Sequence, residues 1–332
     1  MSRRTRRTTA VVMVALLAGG LAACSSTGGR KAVEDAERAR NAGKATTPTM
    51  TVALVTHSGP GDTFWDIVRK GAQDAAAKDN IKLQYTADPD GPKQANLVQQ
   101  AIDKKVDGIA LTLAKPDAMK AVVGKAHAAN IPVVALNGGL DSWKAMGVTA
   151  YFGQDEKIAG QQAGERMLKE GAKHPICVIH EQGNVGLEDR CAGVKQKIPA
   201  TQLLYVNGKA PASMQTAITS KLQQDKAVDY VLTLGGPIAL IAVQSKASAA
   251  SKAKVVTFDT SDQLIAAIKT GTVQWAVDQQ PYLQGYLAID QLWLFKTNGN
   301  TVGGGQAVLT GPAFIDKTNV ASVEKFAASG RR

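Results

Sequence analysis

A chain of 332 residues that is 44% hydrophobic and 20% charged has enough apolar surface for one large domain or two ordinary ones. Four of its eleven net positive charges are Arg3, Arg4, Arg6 and Arg7, and two more are the surplus of residues 25–49, so only about +5 is spread over the rest. No stripe of Lys and Arg interleaved with aromatics appears, and nucleic acid is not an expected partner.

The first elements concern export. A basic start, "MSRRTRRTTA", leads into an apolar run from Ala10 to Ala23. At roughly 14 residues this run is short of the about 20 a membrane span needs, and it reads as a secretory signal peptide over residues 1–23. The run ends in "LAAC", Leu21 to Cys24, which resembles the lipobox of bacterial lipoproteins. That resemblance implies cleavage before Cys24 and a lipid on its thiol, anchoring the protein to the outer face of the cell membrane. An ordinary signal peptide and an uncleaved anchor helix are the alternatives. Residues 24–49 are small, polar and charged, and read as a tether with a short helix at Lys31 to Arg40.

Beyond the tether, strands and helices alternate. "MTVALVT" (Met50 to Thr56) is a strand, and Ile67, Val68, Ala72, Ala75 and Ala76 mark a helix within Asp62 to Lys78. A strand at Ile81 to Thr86, a helix at Lys93 to Lys105, a strand at Asp107 to Leu113, a helix opened by Pro116 and a strand at Ile131 to Asn137 follow. The pattern then restarts with a strand at Val148 to Gly153, a helix from Asp155 to Glu170 and the strand "ICVIHE". Helices at Glu188 to Lys197, Ser213 to Gln224, Pro237 to Ala250 and Ser261 to Thr270 alternate with strands "QLLYV", "DYVLTL" and "KVVTFD". "VQWAVD" leads out to a helix opened by Pro281 that is apolar around much of its girth, and is therefore expected to be buried. An extended segment with a Gly311-Pro312 turn and a short helix from Ala321 close the chain. Strands separated by helices predict an α/β fold of two parallel sheets, each covered on both faces.

Cys177 and Cys191 are candidates for a disulfide, since exported proteins meet oxidising conditions; two separate buried thiols are the alternative. Their spacing is no zinc or thioredoxin pattern, and no metal or cofactor is expected. The chain contains no G-x-x-x-x-G-K-[ST], G-x-S-x-G or H-E-x-x-H motif, so a catalytic role has few candidate residues. In doubly wound sheets ligands sit beyond the carboxyl ends of the strands. Those ends carry His57, Asp62, Phe64, Trp65, Thr112, Lys115 and Asn137 in the first half. The second half adds Glu181, Gln182, Arg190, Gly235, Gly236, Asp259 and Gln279. Two rings with many donors and acceptors and few metal ligands suit a polyhydroxylated small molecule.

Several blocks resemble one family. "VALVTHSGPGDTFWDIVRKGAQDAA", "DGIALTLAKPDAMKAVVGKAHAANIPVVALN" and "VVTFD" are similar to segments of periplasmic sugar-binding proteins of the ribose and galactose type, the solute-binding subunits of ABC importers. The resemblance covers roughly residues 50 to 315. It implies a type I periplasmic-binding-protein fold with an N-terminal lobe of residues 50–153 and 280–312 and a C-terminal lobe of residues 154–279 and 313–332. Three crossings would form the hinge. It places Phe64 and Trp65 on the paired aromatics that hold the sugar, one ring facing the cleft and the other partly buried, and Asp62 on a polar contact. Arg190 falls on the family's ligand arginine, Asp259 on its acidic acceptor and Gln279 on a hinge-proximal amide. Asn137 stands for a frequent Asp, Gly138 for a frequent Arg, and Gly235 and Gly236 for an Asn-Asp pair, so ribose itself is in doubt. His57 completes the expected ligand set. The implied partners are a sugar or polyol and ABC permease subunits, with the protein a monomer. Signalling to a membrane receptor kinase and a cleft enzyme on a small polar substrate are the alternatives.

Overall fold

Hydrophobic runs of four to seven residues, broken by polar residues at their carboxyl ends, become strands in a computed structural model of the chain, buried from both sides in the middle of each sheet and partly exposed at its edges. The structure describes residues 42–332, together with Arg30, Lys31, Val33, Glu34 and Glu37, which are helical. The expected signal peptide and Cys24 lie outside the described residues. Among those described, no helix is long and apolar enough to cross a membrane.

Within the compact unit Lys44–Arg332 the first half runs β1 (Met50–Thr56), α1 (Phe64–Lys78), β2 (Ile81–Ala87), α2 (Gly91–Asp103), β3 (Gly108–Thr112), α3 (Pro116–Ala128), β4 (Val133–Asn137) and β5 (Ala150–Gln154). The second half runs α4 (Glu156–Lys169), β6 (Pro175–Ile179), α5 (Val185–Lys197), β7 (Gln202–Tyr205), α6 (Pro211–Gln224), β8 (Tyr230–Thr233), α7 (Gly236–Ser248), β9 (Lys254–Phe258), α8 (Asp262–Thr270) and β10 (Trp275–Asp278). The chain then returns through α9 (Pro281–Asn298), β11 (Val308–Gly311), β12 (Ala313–Asp316) and α10 (Ala321–Ala327).

Two six-stranded sheets result, in the orders β11-β5-β4-β3-β1-β2 and β12-β10-β9-β8-β6-β7. The first is wholly parallel, and in the second β12 alone runs antiparallel, against β10. The chain passes from one sheet to the other after β5, after β10 and between β11 and β12. The two-residue side-chain period of a strand sorts each sheet's core into two layers. Val52 and Leu54 face α1 and α9, where Val68, Ala72, Ala288, Ile289 and Leu292 pack. Ala53 and Val55 face α2 and α3. The apolar α9 is buried only in part: it packs on the first sheet beside α1 through Ala288, Ile289 and Leu292, while Leu287, Trp293 and Leu294 are half-buried and Phe295 is exposed.

Helix pairs in each half approach too closely for a side chain between them. A Cβ on Gly71 would collide with the Tyr282 carbonyl and one on Gly285 with the Val68 carbonyl, so α1 and α9 meet backbone to backbone. In the second half a Cβ on Gly160 would collide with the Arg190 carbonyl, and one on Gly193 with that of Lys157. This contact sets α5 against the first turn of α4, and it decides where Arg190 points.

Cys177 on β6 and Cys191 on α5 form a disulfide with 5.8 Å between Cα atoms, within the usual range. With a sequence separation of 14 residues, the chain-entropy model assigns the link about 3 kcal/mol. Replacing both cysteines by serine is expected to lower unfolding free energy by about that amount in urea titrations. A double variant as stable as the parent would show the link to be thermodynamically idle.

Helix α5 begins at Val185, three residues before the expected Glu188. Asn184 caps it, its Oδ1 accepting from the N–H groups of Gly186 at 3.1 Å and Leu187 at 3.4 Å, which outweighs the low helix propensity of Gly186.

Candidate functional site

The carboxyl ends of both sheets converge on a small cavity lined by His57, Asp62, Phe64, Trp65, Asn137, Arg190, Asp259 and Gln279. All eight residues expected at a ligand site come together there. Glu156, His180, Glu181 and Asn184 join them. Of the remaining strand-end residues, Gln182 lines a neighbouring chamber instead, and Thr112 supports His57 from below.

Two rings form one wall. Phe64 and Trp65 open α1 and meet edge to face with centroids 5.0 Å apart, and Trp65 meets the His57 imidazole in the same manner at 4.7 Å. Both rings line the cavity while belonging to the core of the first sheet, where one alone was expected to face it. The cause is their edge-to-face packing at the start of α1, which leaves both against the strand ends. Asp62 fixes this turn by accepting the Phe64 N–H at 3.1 Å. Burial pushes its carboxyl up to about 6.

Opposite, Arg190 makes a two-pronged ion pair with Glu156, Nε to Oε2 at 2.6 Å and Nη2 to Oε1 at 2.9 Å. Its Nη1 donates to the Leu234 carbonyl at 3.2 Å, and the guanidinium lies 4.5 Å from the Phe258 ring centroid. With five N–H groups and these three bonds, two remain for a ligand. Arg190 is 4% exposed and Glu156 6%, so the pair is desolvated. Glu156 also accepts from Gln154 Nε2 at 2.7 Å.

The floor is a chain of amides and acid that runs across both sheets. Asn137 Nδ2 donates to Gln279 Oε1 at 3.1 Å, and Gln279 Nε2 donates to Asp259 Oδ1 at 2.7 Å. Gln284 on α9 braces it by donating to Gln279 Oε1 at 2.9 Å. Asn137 ends β4 and Asp259 directly follows the corresponding strand β9, and both sit in the left-handed region at φ 66°. Asn and Asp tolerate that region better than other non-glycine residues, and the bend turns each side chain from the strand direction into the cavity. Burial pushes the Asp259 carboxyl up to about 7, against the nearby Arg190 charge and the Gln279 hydrogen bond, which lower it.

The front is held by contacts between the two halves. Val185 N–H donates to the Ala114 carbonyl at 3.0 Å, Asn184 Nδ2 meets His57 Nε2 at 3.2 Å, and Lys115 pairs with Glu181 at 3.4 Å. Asn184 Oδ1 is committed to the helix N–H groups, so its amide nitrogen faces His57. His57 Nδ1 lies 2.8 Å from Thr112 Oγ1, which also accepts from the His57 backbone N–H and Gln94 Nε2 at 3.0 Å each. Burial lowers the His57 value and pushes that of His180 down to about 4, so both rings are neutral near pH 7. The Arg190 charge is cancelled by Glu156 and that of Lys115 by Glu181, leaving two carboxyls in excess. Such a lining repels anions and offers neutral hydroxyl groups acceptors, donors and apolar faces.

Glu156, His180 and Asn184 were not among the residues expected to bind. An acid in the first turn of a helix ordinarily answers the helix dipole, and an Asn before a helix ordinarily caps it, so neither stands out in sequence. His180 directly follows β6, inside the segment "ICVIHE" read as a strand, but nothing in the sequence turned its side chain toward the cavity.

A model of the periplasmic binding protein domain family matches residues 52–299. The chain is 55% identical to a carbohydrate transporter from Acidothermus cellulolyticus 11B solved in complex with myo-inositol; the match covers 86% of this chain and 100% of that one, with a TM-score of 0.85. An ABC transporter solute binding protein from Agrobacterium vitis with bound D-fucose is 26% identical, over 83% of this chain and 99% of the other, with a TM-score of 0.73. The ribose import binding protein RbsB of Haemophilus influenzae is 28% identical over 255 residues, 73% of this chain and 83% of its own.

Proposed function

Because this chain belongs to the periplasmic binding protein domain family, we propose that it captures a neutral ring polyol, a cyclitol of the myo-inositol type or a closely related sugar, and delivers it to an ABC importer. The observation that carries this reading is the single cavity into which both sheets send two rings, an arginine, two carboxyls and two amides. A ring with hydroxyls all round can place C–H faces on Phe64 and Trp65 while its hydroxyls donate to Asp62 and Asp259 and accept from Arg190. The 55% identity to a myo-inositol-bound transporter supports the cyclitol.

The cavity measures about 40 Å³, room for roughly three waters at 10–15 Å³ each. A six-membered ring therefore enters by parting the halves. In this reading residues 50–153 and 280–312 move as one lobe against residues 154–279 and 313–332, about the three crossings. The bound state is favoured because the ligand touches both. The "LAAC" segment supports export and a lipid anchor at Cys24, with residues 24–49 as the tether, so that a monomer works at the outer face of the membrane.

A thermal-shift panel of myo-inositol, its epimers, D-ribose, D-xylose and D-galactose tests the assignment. A ligand at a hundred times its Kd stabilises by about 2.7 kcal/mol, and myo-inositol is expected to give the largest rise. A rise with an unrelated ligand class and none with any polyol would overturn the substrate assignment.

A further inference from the structure

Beside the polyol cavity lies a second chamber of about 480 Å³, and His57, Asp62, His180 and Glu181 line both. Its size falls in the range of about 300–1,000 Å³ common to small-molecule sites. On one side stand the loop after β1 with Pro60, together with Pro89 and Lys115; on the other stand the β7–α6 loop and the starts of α6 and α7. Its outer walls carry stiff, apolar patches at Pro60, Pro89, Pro211, Pro237, Ile238 and Ile241, with polar Asn207 and Lys209 between them. Prolines have no backbone φ freedom to lose, so each wall is stiff on its own half.

The throat between the two spaces carries unspent polar groups. His180 Nδ1 and Glu181 Oε1 are buried and, among the described residues, have no hydrogen-bond partner, the Lys115 ammonium standing 3.4 Å from the latter. A buried polar atom left unpaired is costly, and a hydroxyl or bridging oxygen in the throat would relieve it. Lys115 is already bonded to the Pro89 carbonyl at 2.7 Å and balanced by Glu181, with Asp62 adjacent. The throat therefore offers no surplus positive charge to a phosphate, and the chamber's other cation, Lys209, is exposed at its rim on the β7–α6 loop.

From this we infer that the ligand carries a second neutral ring: the protein takes a glycoside of its polyol, the cyclitol in the inner cavity and the glycosyl ring between the proline walls. This inference rests on the polyol reading above and specifies its substrate class.

Calorimetric titration with myo-inositol and with α-D-galactosyl-myo-inositol, on the parent protein and on Ile241→Trp and Ile241→Ala, tests it. Ile241 lines the chamber and not the inner cavity, so the indole fills the outer space alone. The parent is expected to bind both compounds. Ile241→Trp should weaken the galactoside about tenfold or more by overpacking. Its affinity for myo-inositol should stay within about twofold, as for a site with no shared contact. Ile241→Ala removes one wall contact without filling the space, so it should leave myo-inositol within about twofold and weaken the galactoside less than Ile241→Trp does. Binding of myo-inositol without the galactoside would overturn the inference and leave the polyol reading standing. So would a galactoside affinity untouched by Ile241→Trp, or one weakened only in step with myo-inositol, since the chamber would then be an entrance. Failure of both compounds on the parent protein would remove the cyclitol and this inference with it, leaving the sugars of the thermal-shift panel to decide the polyol reading.

Discussion

Arg190→Ala is expected to abolish ligand binding and to cost about 3–5 kcal/mol of folding stability, because it strands the Glu156 carboxylate in a desolvated site. The geometry makes the loss larger than that of a surface pair. Both Glu156 oxygens accept from one guanidinium, the acid is 6% exposed, and α5 is pressed on the first turn of α4 through Gly160 and Gly193, so the helices cannot part to admit water cheaply. A second variant separates the two effects. In Arg190→Met with Glu156→Gln the buried charges vanish together, and stability should return to within about 1–2 kcal/mol of the parent, since neutral replacement of a buried pair is often tolerated. Binding should not return, because the two guanidinium N–H groups left for the ligand are gone. Urea unfolding and calorimetry on the same samples measure both. If Arg190→Ala unfolds with the parent's midpoint, the ion pair is not what holds this corner.

Polyol binding by the parent protein should release a proton near pH 6.5, and Asp259→Asn should remove that release while weakening affinity about 10- to 100-fold, the worth of a hydrogen bond to a charged group. In the free protein burial pushes Asp259 up to about 7, so at pH 6.5 its carboxyl is largely protonated. A ligand hydroxyl donating to the carboxylate favours the ionised form and lowers the value, which expels the proton. The sign follows: affinity rises with pH up to about 7 and levels off above it. The groups facing Asp259 are Arg190, which lowers its value, and Asp62 and Glu156, which raise it. Asp62, at about 6, contributes less at this pH, and His57 and His180, both held below their ordinary value, stay neutral. Heats measured in buffers of different ionisation enthalpy count the proton. An unchanged count in Asp259→Asn would assign the release to another group.

The alternation of strands and helices from Met50 onward was legible because parallel strands covered on both faces must be unbroken apolar runs, and their ends are where polar residues return. The same logic made His57, Asn137, Asp259 and Gln279 readable as neighbours, although 222 positions separate the first from the last. Element boundaries were less legible where a cap competed with propensity, as at Asn184 before Gly186.

The sequence by itself determined the two largely parallel sheets and the polar residues at their carboxyl ends, since each follows from local period or residue chemistry, while the bond between Cys177 and Cys191 was left open until the structure closed it. Only the tertiary structure decided that Arg190 is spent first on Glu156, that Phe64 and Trp65 both reach the cavity, and that His180 and Asn184 belong to it. Those outcomes depend on which backbones can touch. Gly160 and Gly193 let two helices close to contact distance, and loops from separate halves build the proline-walled chamber. Neither the approach of two helices nor the space between two loops is written in the period of any one segment.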